Sequence, residues 1–114
     1  MSMSEHHEQV TFVHWLKWAH PKVLFFAIPN GGYRNKITAS KLKKEGVTAG
    51  VPDLFIAEPR FDISGLFIEM KTNKGVVSKS QKEIMTKLKC KGYCCKVAYG
   101  FDEARQITEA YLNE

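Results

Sequence analysis

Two segments, Val51-Pro52-Asp53-Leu54-Phe55-Ile56 and Gly65-Leu66-Phe67-Ile68-Glu69-Met70-Lys71, decide how this chain of 114 residues is read. Each is an apolar run with ionisable residues at one end. Between them lies Pro59-Arg60-Phe61-Asp62-Ile63-Ser64, whose Pro, Asp and Ser, with the following Gly65, are turn chemistry, so the whole predicts an antiparallel hairpin. Facing residues of such a pair have a constant sum of numbers, and an apex at Phe61 sets Asp53 opposite Glu69. Directly opposed Cβ atoms lie roughly 4.5 to 5.5 Å apart, within reach of one divalent cation shared by both carboxylates. Side chains alternate along a strand, so Lys71 lies on the face of Glu69 while Met70 points the other way.

Charged residues at strand ends are commonly solvated punctuation. Here both runs are apolar on both faces (Leu54, Phe55, Ile56; Leu66, Phe67, Ile68), as expected of central strands covered on two sides, where an unpaired carboxylate is costly. Two carboxylates and an amine converging on one point of such a sheet read as a metal-dependent nuclease site. Hydrolysing a phosphodiester needs a hydroxide-like nucleophile beside an anion and relief of charge on the departing oxygen, and a divalent cation serves both needs.

Outward from the hairpin, the pattern predicts helix, strand, short helix, hairpin, helix, strand, helix. Ser4 can cap a first helix running to Pro21, with Glu8, Phe12, Trp15, Leu16 and Ala19 recurring on one face. Val10, Val13 and Trp18 lie off that stripe. Glu5 reads as favourable charge in the first helical turn, whereas Glu8 points where the core residues point. Residues 23–28 read as a strand ending at Pro29. Asn30-Gly31-Gly32 is a tight turn after which Arg34 is suited to reach a phosphate. Ser78-Lys79-Ser80-Gln81 is a capping box opening a helix through Ile84, Met85 and Leu88 that Gly92 terminates. Residues 93–99 form a last strand, and Asp102 caps a terminal helix through Ala104, Ile107 and Tyr111.

A chain of this length supports one core, spanning residues 1–114 without a second domain, and its 44% hydrophobic content is ordinary for a globular protein. The longest apolar stretch, residues 23–28, is far too short to span a bilayer, and residues 1–9 lack the basic and apolar regions of a signal peptide, so a cytoplasmic protein with no membrane partner is expected. Cys90, Cys94 and Cys95 are odd in number and lack a nearby fourth zinc ligand, which predicts buried or half-buried reduced thiols. His6, His7, His14 and His20 show no catalytic spacing and read as surface residues. The formal charge of +5 suits a polyanionic partner. Lys87, Lys89 and Lys91 read as a solvated helix face, while Lys36, Lys41, Lys74 and Lys79 flank the proposed site and, with Arg34, are the candidate phosphate contacts.

Pro52-Asp53 followed by Glu69-Met70-Lys71 resembles the PD-(D/E)xK nuclease superfamily. The surrounding words sharpen the likeness: Pro29-Asn30-Gly31-Gly32-Tyr33-Arg34, Leu42-Lys43-Lys44-Glu45-Gly46-Val47, Gly50-Val51-Pro52-Asp53, Gly65 to Lys71, Gln81 and Gly92-Tyr93 are similar, in order, to the virus-type replication-repair nuclease (VRR-NUC) domain. This resemblance spans nearly the whole chain. It implies an α/β, restriction-endonuclease-like three-layer fold, a central mixed β-sheet flanked by helices. It also implies that a first-helix glutamate completes the metal site, for which Glu8 matches best, so that Glu8, Asp53, Glu69 and the Met70 carbonyl would hold Mg²⁺ or Mn²⁺. Lys71 would orient or deprotonate the attacking water. Gln81 has a complete structural explanation in the capping box, and the resemblance adds that a glutamine there commonly faces the active site.

The resemblance further implies branched or duplex DNA as substrate, and a homodimer cutting four-way (Holliday) junctions; Val10, Val13 and Trp18, apolar and off the core stripe of the first helix, are the expected interface residues. The alternatives are a flap- or nick-directed nuclease acting as a monomer, a non-cleaving DNA-binding module on the same fold, and a metal-dependent hydrolase of small phosphates. The intact Asp53, Glu69, Lys71 set weighs against the module, and the basic residues beyond the site weigh against the small-molecule hydrolase.

Overall fold

The structure, a computed structural model, describes residues 4–29 and 36–113, and of residues 36 and 37 the backbone alone. Arg34 therefore lies outside the described residues, as does the side chain of Lys36. The elements follow the expected order: α1 (Glu5–Ala19), β1 (Phe25–Ala27), α2 (Lys36–Lys44), β2 (Leu54–Ile56), β3 (Leu66–Lys71), α3 (Lys79–Cys90), β4 (Cys94–Tyr99) and α4 (Phe101–Leu112).

The strands β2 and β3 have the register that an apex at Phe61 requires, with Leu54 facing Ile68, Phe55 facing Phe67 and Ile56 facing Leu66, although the tip closes one residue out of that register. Its tip is closed by reciprocal backbone bonds between Arg60 and Ile63, of 2.9 and 2.8 Å. β1 adds antiparallel to β2, and β4 adds parallel to β3 after the α3 crossover, giving a mixed sheet in the order β1-β2-β3-β4. The strands with continuous apolar runs are thus the central ones, covered on both faces.

One face of the sheet, carrying Leu54, Ile56, Leu66, Ile68, Met70 and Ala98, packs with Phe12 and Leu16 of α1 and Ala104, Tyr111 and Leu112 of α4. On the opposite face Phe67 and Cys95 pack with Met85 and Leu88 of α3, beside the ring pairs Phe55–Phe67 and Phe67–Tyr93. These two cores make the three layers of the α/β fold. Val13 belongs to the first core as a partly buried neighbour, so only Val10 and Trp18 of the three residues set aside for an interface stay exposed. Among the described residues α2 packs against no other element. No described helix is long and apolar enough to cross a membrane.

Helix ends follow local chemistry. Ser4 Oγ accepts from the His7 amide at 3.1 Å, and α1 stops at Ala19, short of Pro21. At α3 Ser78 Oγ accepts from the Gln81 amide at 3.2 Å while Gln81 Oε1 accepts from the Ser78 amide at 2.8 Å. α4 departs from expectation. Its N-cap is Gly100, at φ 96°, and the capping carboxylate comes from α1, where Glu8 accepts from the Phe101 amide. Asp102 sits in the first turn and pairs with Arg105. His20 is likewise not a free surface residue: it is bonded to Glu109 and meets Trp15 edge-on, so both ends of α1 are fastened to α4. Of the three free thiols Cys95 is buried and Cys94 half-buried as expected, but Cys90 is exposed.

Gly50 fixes the approach to the hairpin. It has φ 93°, and a Cβ there would come within 2.4 Å of the Ser80 carbonyl oxygen in the first turn of α3. Gly50→Ala should therefore destabilise the protein by about 2 kcal/mol or more, combining left-handed backbone strain with overpacking. Urea denaturation checks this, and a variant as stable as the parent would mean that the segment moves freely from α3.

Candidate functional site

Asp53 immediately precedes β2, and Glu69, Met70 and Lys71 end β3. Asp53 Oδ2 accepts from the Met70 amide at 2.8 Å. In a strand the N–H and C=O of one residue point to the same side, so the Met70 carbonyl also faces the Asp53 side while its side chain is buried in the α1 and α4 core. Glu69 is only 3% exposed. Its Oε2 accepts from Gln81 Nε2 at 2.9 Å and lies 3.5 Å from Lys71 Nζ. Gln81 thus does both things that its position allowed: its amide oxygen closes the capping box and its amide nitrogen holds the Glu69 carboxylate. Lys71 shares the face of Glu69, as the strand period requires.

The electrostatics follow from burying like charges together. Burial, and then the charge of Asp53, push Glu69 up to about 7, with Lys71 opposing in part. Burial also raises Asp53, against the pull of the Met70 amide, Lys71 and the Glu69 carboxyl. Glu5 is raised by its own partial burial and by Asp53, and its charge in turn raises Glu69. The α1 glutamate whose charge is felt by Asp53 and Glu69 is Glu5, while the Glu8 carboxylate, expected at the metal, caps α4. A helical side chain covers the surface on the N-terminal side of its own Cα. A glutamate one turn before the core stripe consequently overhangs the sheet end, a signal that was present in the sequence.

Among the described residues no three of His, Cys, Asp and Glu are grouped closely enough to enclose a metal ion. The donors brought together are two carboxylates and a backbone carbonyl, an all-oxygen set of the kind that suits a hard cation retaining several waters. Of the expected phosphate contacts, Lys74 and Lys79 are exposed in the loop and first helical position that follow β3, and Lys41 is exposed on α2.

This sheet, with Asp53 before the first hairpin strand and Glu69 and Lys71 at the end of the second, is the architecture of a PD-(D/E)xK nuclease. The chain belongs to the VRR-NUC domain family, whose sequence model matches residues 3–102. A solved structure described as a VRR_NUC domain protein is similar, with a TM-score of 0.84 and 29% identity over 99% of this chain and 91% of that one. No curated protein matches the chain. Family membership makes it a nuclease with DNA as substrate, of a superfamily whose nucleases are metal-dependent.

The raised Glu69 carboxyl predicts a pH dependence. A group raised from 4.5 to about 7 holds a proton in the folded state that the unfolded chain releases, so its stabilising effect is complete below about 4.5 and is lost as pH rises through 7. The metal-free protein should be less stable at pH 8 than at pH 5 by on the order of 2–3 kcal/mol. Mn²⁺ or Glu69→Gln should remove most of that difference. Urea denaturation at both pH values, with and without Mn²⁺, measures it, and a flat profile would mean that Glu69 titrates as an ordinary carboxyl.

Proposed function

We propose that this protein is a Mg²⁺- or Mn²⁺-dependent, structure-selective DNA endonuclease acting in the cytoplasm as a symmetric homodimer on branched DNA, foremost four-way junctions. The observation that carries the catalytic part is the pair of opposed carboxylates, Glu69 buried and Asp53 half-buried, with Lys71 and Gln81 both on the Glu69 carboxylate. Two anions that burial drives toward holding a proton are the environment that a divalent cation relieves. Asp53, Glu69 and the Met70 carbonyl would hold the metal, with Glu5 supplying further negative charge from α1. Bound there, the cation supplies Lewis-acid charge beside the scissile phosphate.

The chain's own groups do the rest. Gln81 keeps the Glu69 carboxylate facing Asp53. Lys71, an ammonium on a flexible stem, orients the attacking water and offsets charge on the phosphate as a point charge. Lys74, Lys79 and Lys41, with Arg34 and Lys36, hold the flanking phosphates. The dimer rests on a chemical requirement, since resolving a junction takes two cuts on strands related by approximate twofold symmetry and one chain offers a single carboxylate pair. Val10 and Trp18 support it as exposed apolar residues on α1, Trp18 at 81% exposure.

Asp53→Asn and Glu69→Gln should each abolish cleavage while leaving DNA binding within a few-fold of the parent, because each removes a ligand charge with little change of shape. Nicking and gel-shift assays on the same preparations test this, and near-normal nicking by either variant would mean that the site is misplaced. Lys71→Ala should slow single-turnover cleavage by a factor on the order of 10² or more, with a far smaller effect on Mn²⁺ affinity. For the assembly, light scattering and paired-cut analysis on a mobile junction should report a dimer that cuts both strands within one encounter. A monomer making uncoupled nicks would move the substrate to flaps or nicked duplex.

A further inference from the structure

A groove of about 470 Å³ lies between α4, the hairpin tip and the first residues of β3 and β4. It is at the other end of β3 from Glu69 and on the α1 and α4 side of the sheet, whereas Glu69 is bonded to Gln81 of α3. Its volume falls in the range of roughly 300–1,000 Å³ typical of sites for small organic ligands. Leu66, Ile107 and Tyr111 give it apolar walls, Arg60 and Lys96 are the charged residues that line it, and no carboxylate does. Such a groove suits a flat apolar group that carries negative charge.

Phe61 stands at its rim. The side chain is 82% exposed, and the backbone has φ 52°, the left-handed region that a residue with a Cβ rarely adopts. This is the first position of a two-residue hairpin loop, where glycine is the favoured choice. The tip is nevertheless rigid. The Arg60–Ile63 backbone bonds close it, and the Arg60 side chain ties it to Glu58 at 3.0 Å and to the Leu112 carbonyl at 3.2 Å. Folding thus bears the conformational cost of an aromatic residue at this point and gains no burial from it. Outliers of this kind mark functional positions. An exposed aromatic face beside basic residues is how proteins hold single-stranded nucleic acid: a base stacks on the ring and the phosphates meet the cations, here the exposed Lys96 and an Arg60 that they would share with Glu58.

We propose that this groove binds an unpaired nucleotide within a single-stranded stretch of nucleic acid, its base stacked on Phe61 and its phosphates directed to Lys96 and Arg60. The site is separate from the carboxylate pair and needs no metal. It would hold an unpaired strand of the substrate, or its displaced tail, while the cleavage site engages elsewhere.

The test uses the full chain without metal and a short oligothymidylate carrying 5-iodouracil, which photo-crosslinks to a stacked aromatic ring, followed by peptide mapping. The adduct should fall on Phe61. In parallel, anisotropy with a fluorescein-labelled oligothymidylate should show about tenfold weaker binding for Phe61→Gly, as loss of one stacked base implies. Phe61→Trp should retain or tighten binding, and Lys96→Gln should weaken it and reduce the salt slope by about one unit. Phe61→Gly should also melt at a higher temperature than the parent, since glycine relieves the left-handed backbone, so that loss of binding cannot be misfolding. Its metal-dependent nicking of linear duplex should be unchanged, which keeps this proposal separable from the nuclease reading. Adducts elsewhere with unchanged affinity of Phe61→Gly would overturn it. Thymidine monophosphate competing as tightly as the oligonucleotide would also overturn it, in favour of a free-nucleotide pocket. Loss of binding only alongside a fall in mass by light scattering would overturn it in favour of a contact between copies.

Discussion

The hydrogen bond from the Met70 amide to the Asp53 carboxylate closes the open end of the hairpin and sets the terms for everything around it. It holds the half-buried Asp53 across from the buried Glu69, so two like charges are kept side by side and partly out of water. A charged hydrogen bond of this kind offsets only part of the burial cost. The remainder appears as the upward displacement of both carboxyls, which is instability built into the metal-free protein. Neighbouring structure is spent on tolerating it. Gly50 lets the segment before Asp53 lie directly on the first turn of α3, and the same turn presents Gln81 to Glu69.

The first helix acts as a rigid arm over this end of the sheet. Glu8 fastens its start to the α4 N-terminus and His20 fastens its end to Glu109, with Phe12 and Leu16 buried between. Glu5 is left one turn beyond the clamp, where its charge is felt by Asp53 and Glu69. Two glutamates three residues apart therefore divide the work: one capping carboxylate positions the helix, and the other contributes to the field of the site. The basic residues are arranged more loosely. Lys74 and Lys79 follow β3 directly, whereas Lys41 rides on α2, which rests on no other described element.

Much of this was legible in the sequence because local rules and burial agree. The hairpin register follows from turn chemistry and a period of two. The Ser4 and Ser78 caps follow from side-chain oxygens placed before helical runs. The three layers follow from strands apolar on both faces. Where tertiary contacts override local chemistry, the sequence is silent. Asp102 has the right chemistry to cap α4, yet Gly100 takes that place because a carboxylate arrives from a helix more than ninety residues earlier. The helical stripe put Glu8 on the core side correctly, but a stripe carries no information on which neighbour lies beneath it, and the neighbour that meets Glu8 is the N-terminus of α4. His20 was misread as a surface residue for the same reason, since Glu109 of α4 reaches it. Gln81 shows the converse: a complete local explanation and a role facing the site are compatible, because an amide has two ends.

The most direct measurement is an anomalous difference map from crystals of the wild-type protein soaked in Mn²⁺. The predicted result is a peak within about 2–2.5 Å of oxygens from Asp53, Glu69 and the Met70 carbonyl, the range of hard-cation ligation. The same soak of Glu69→Gln crystals should leave that position empty. A wild-type map with Mn²⁺ bound only at other residues, or a peak undiminished in the variant, would contradict the assignment of the buried carboxylate pair as the metal centre of this nuclease.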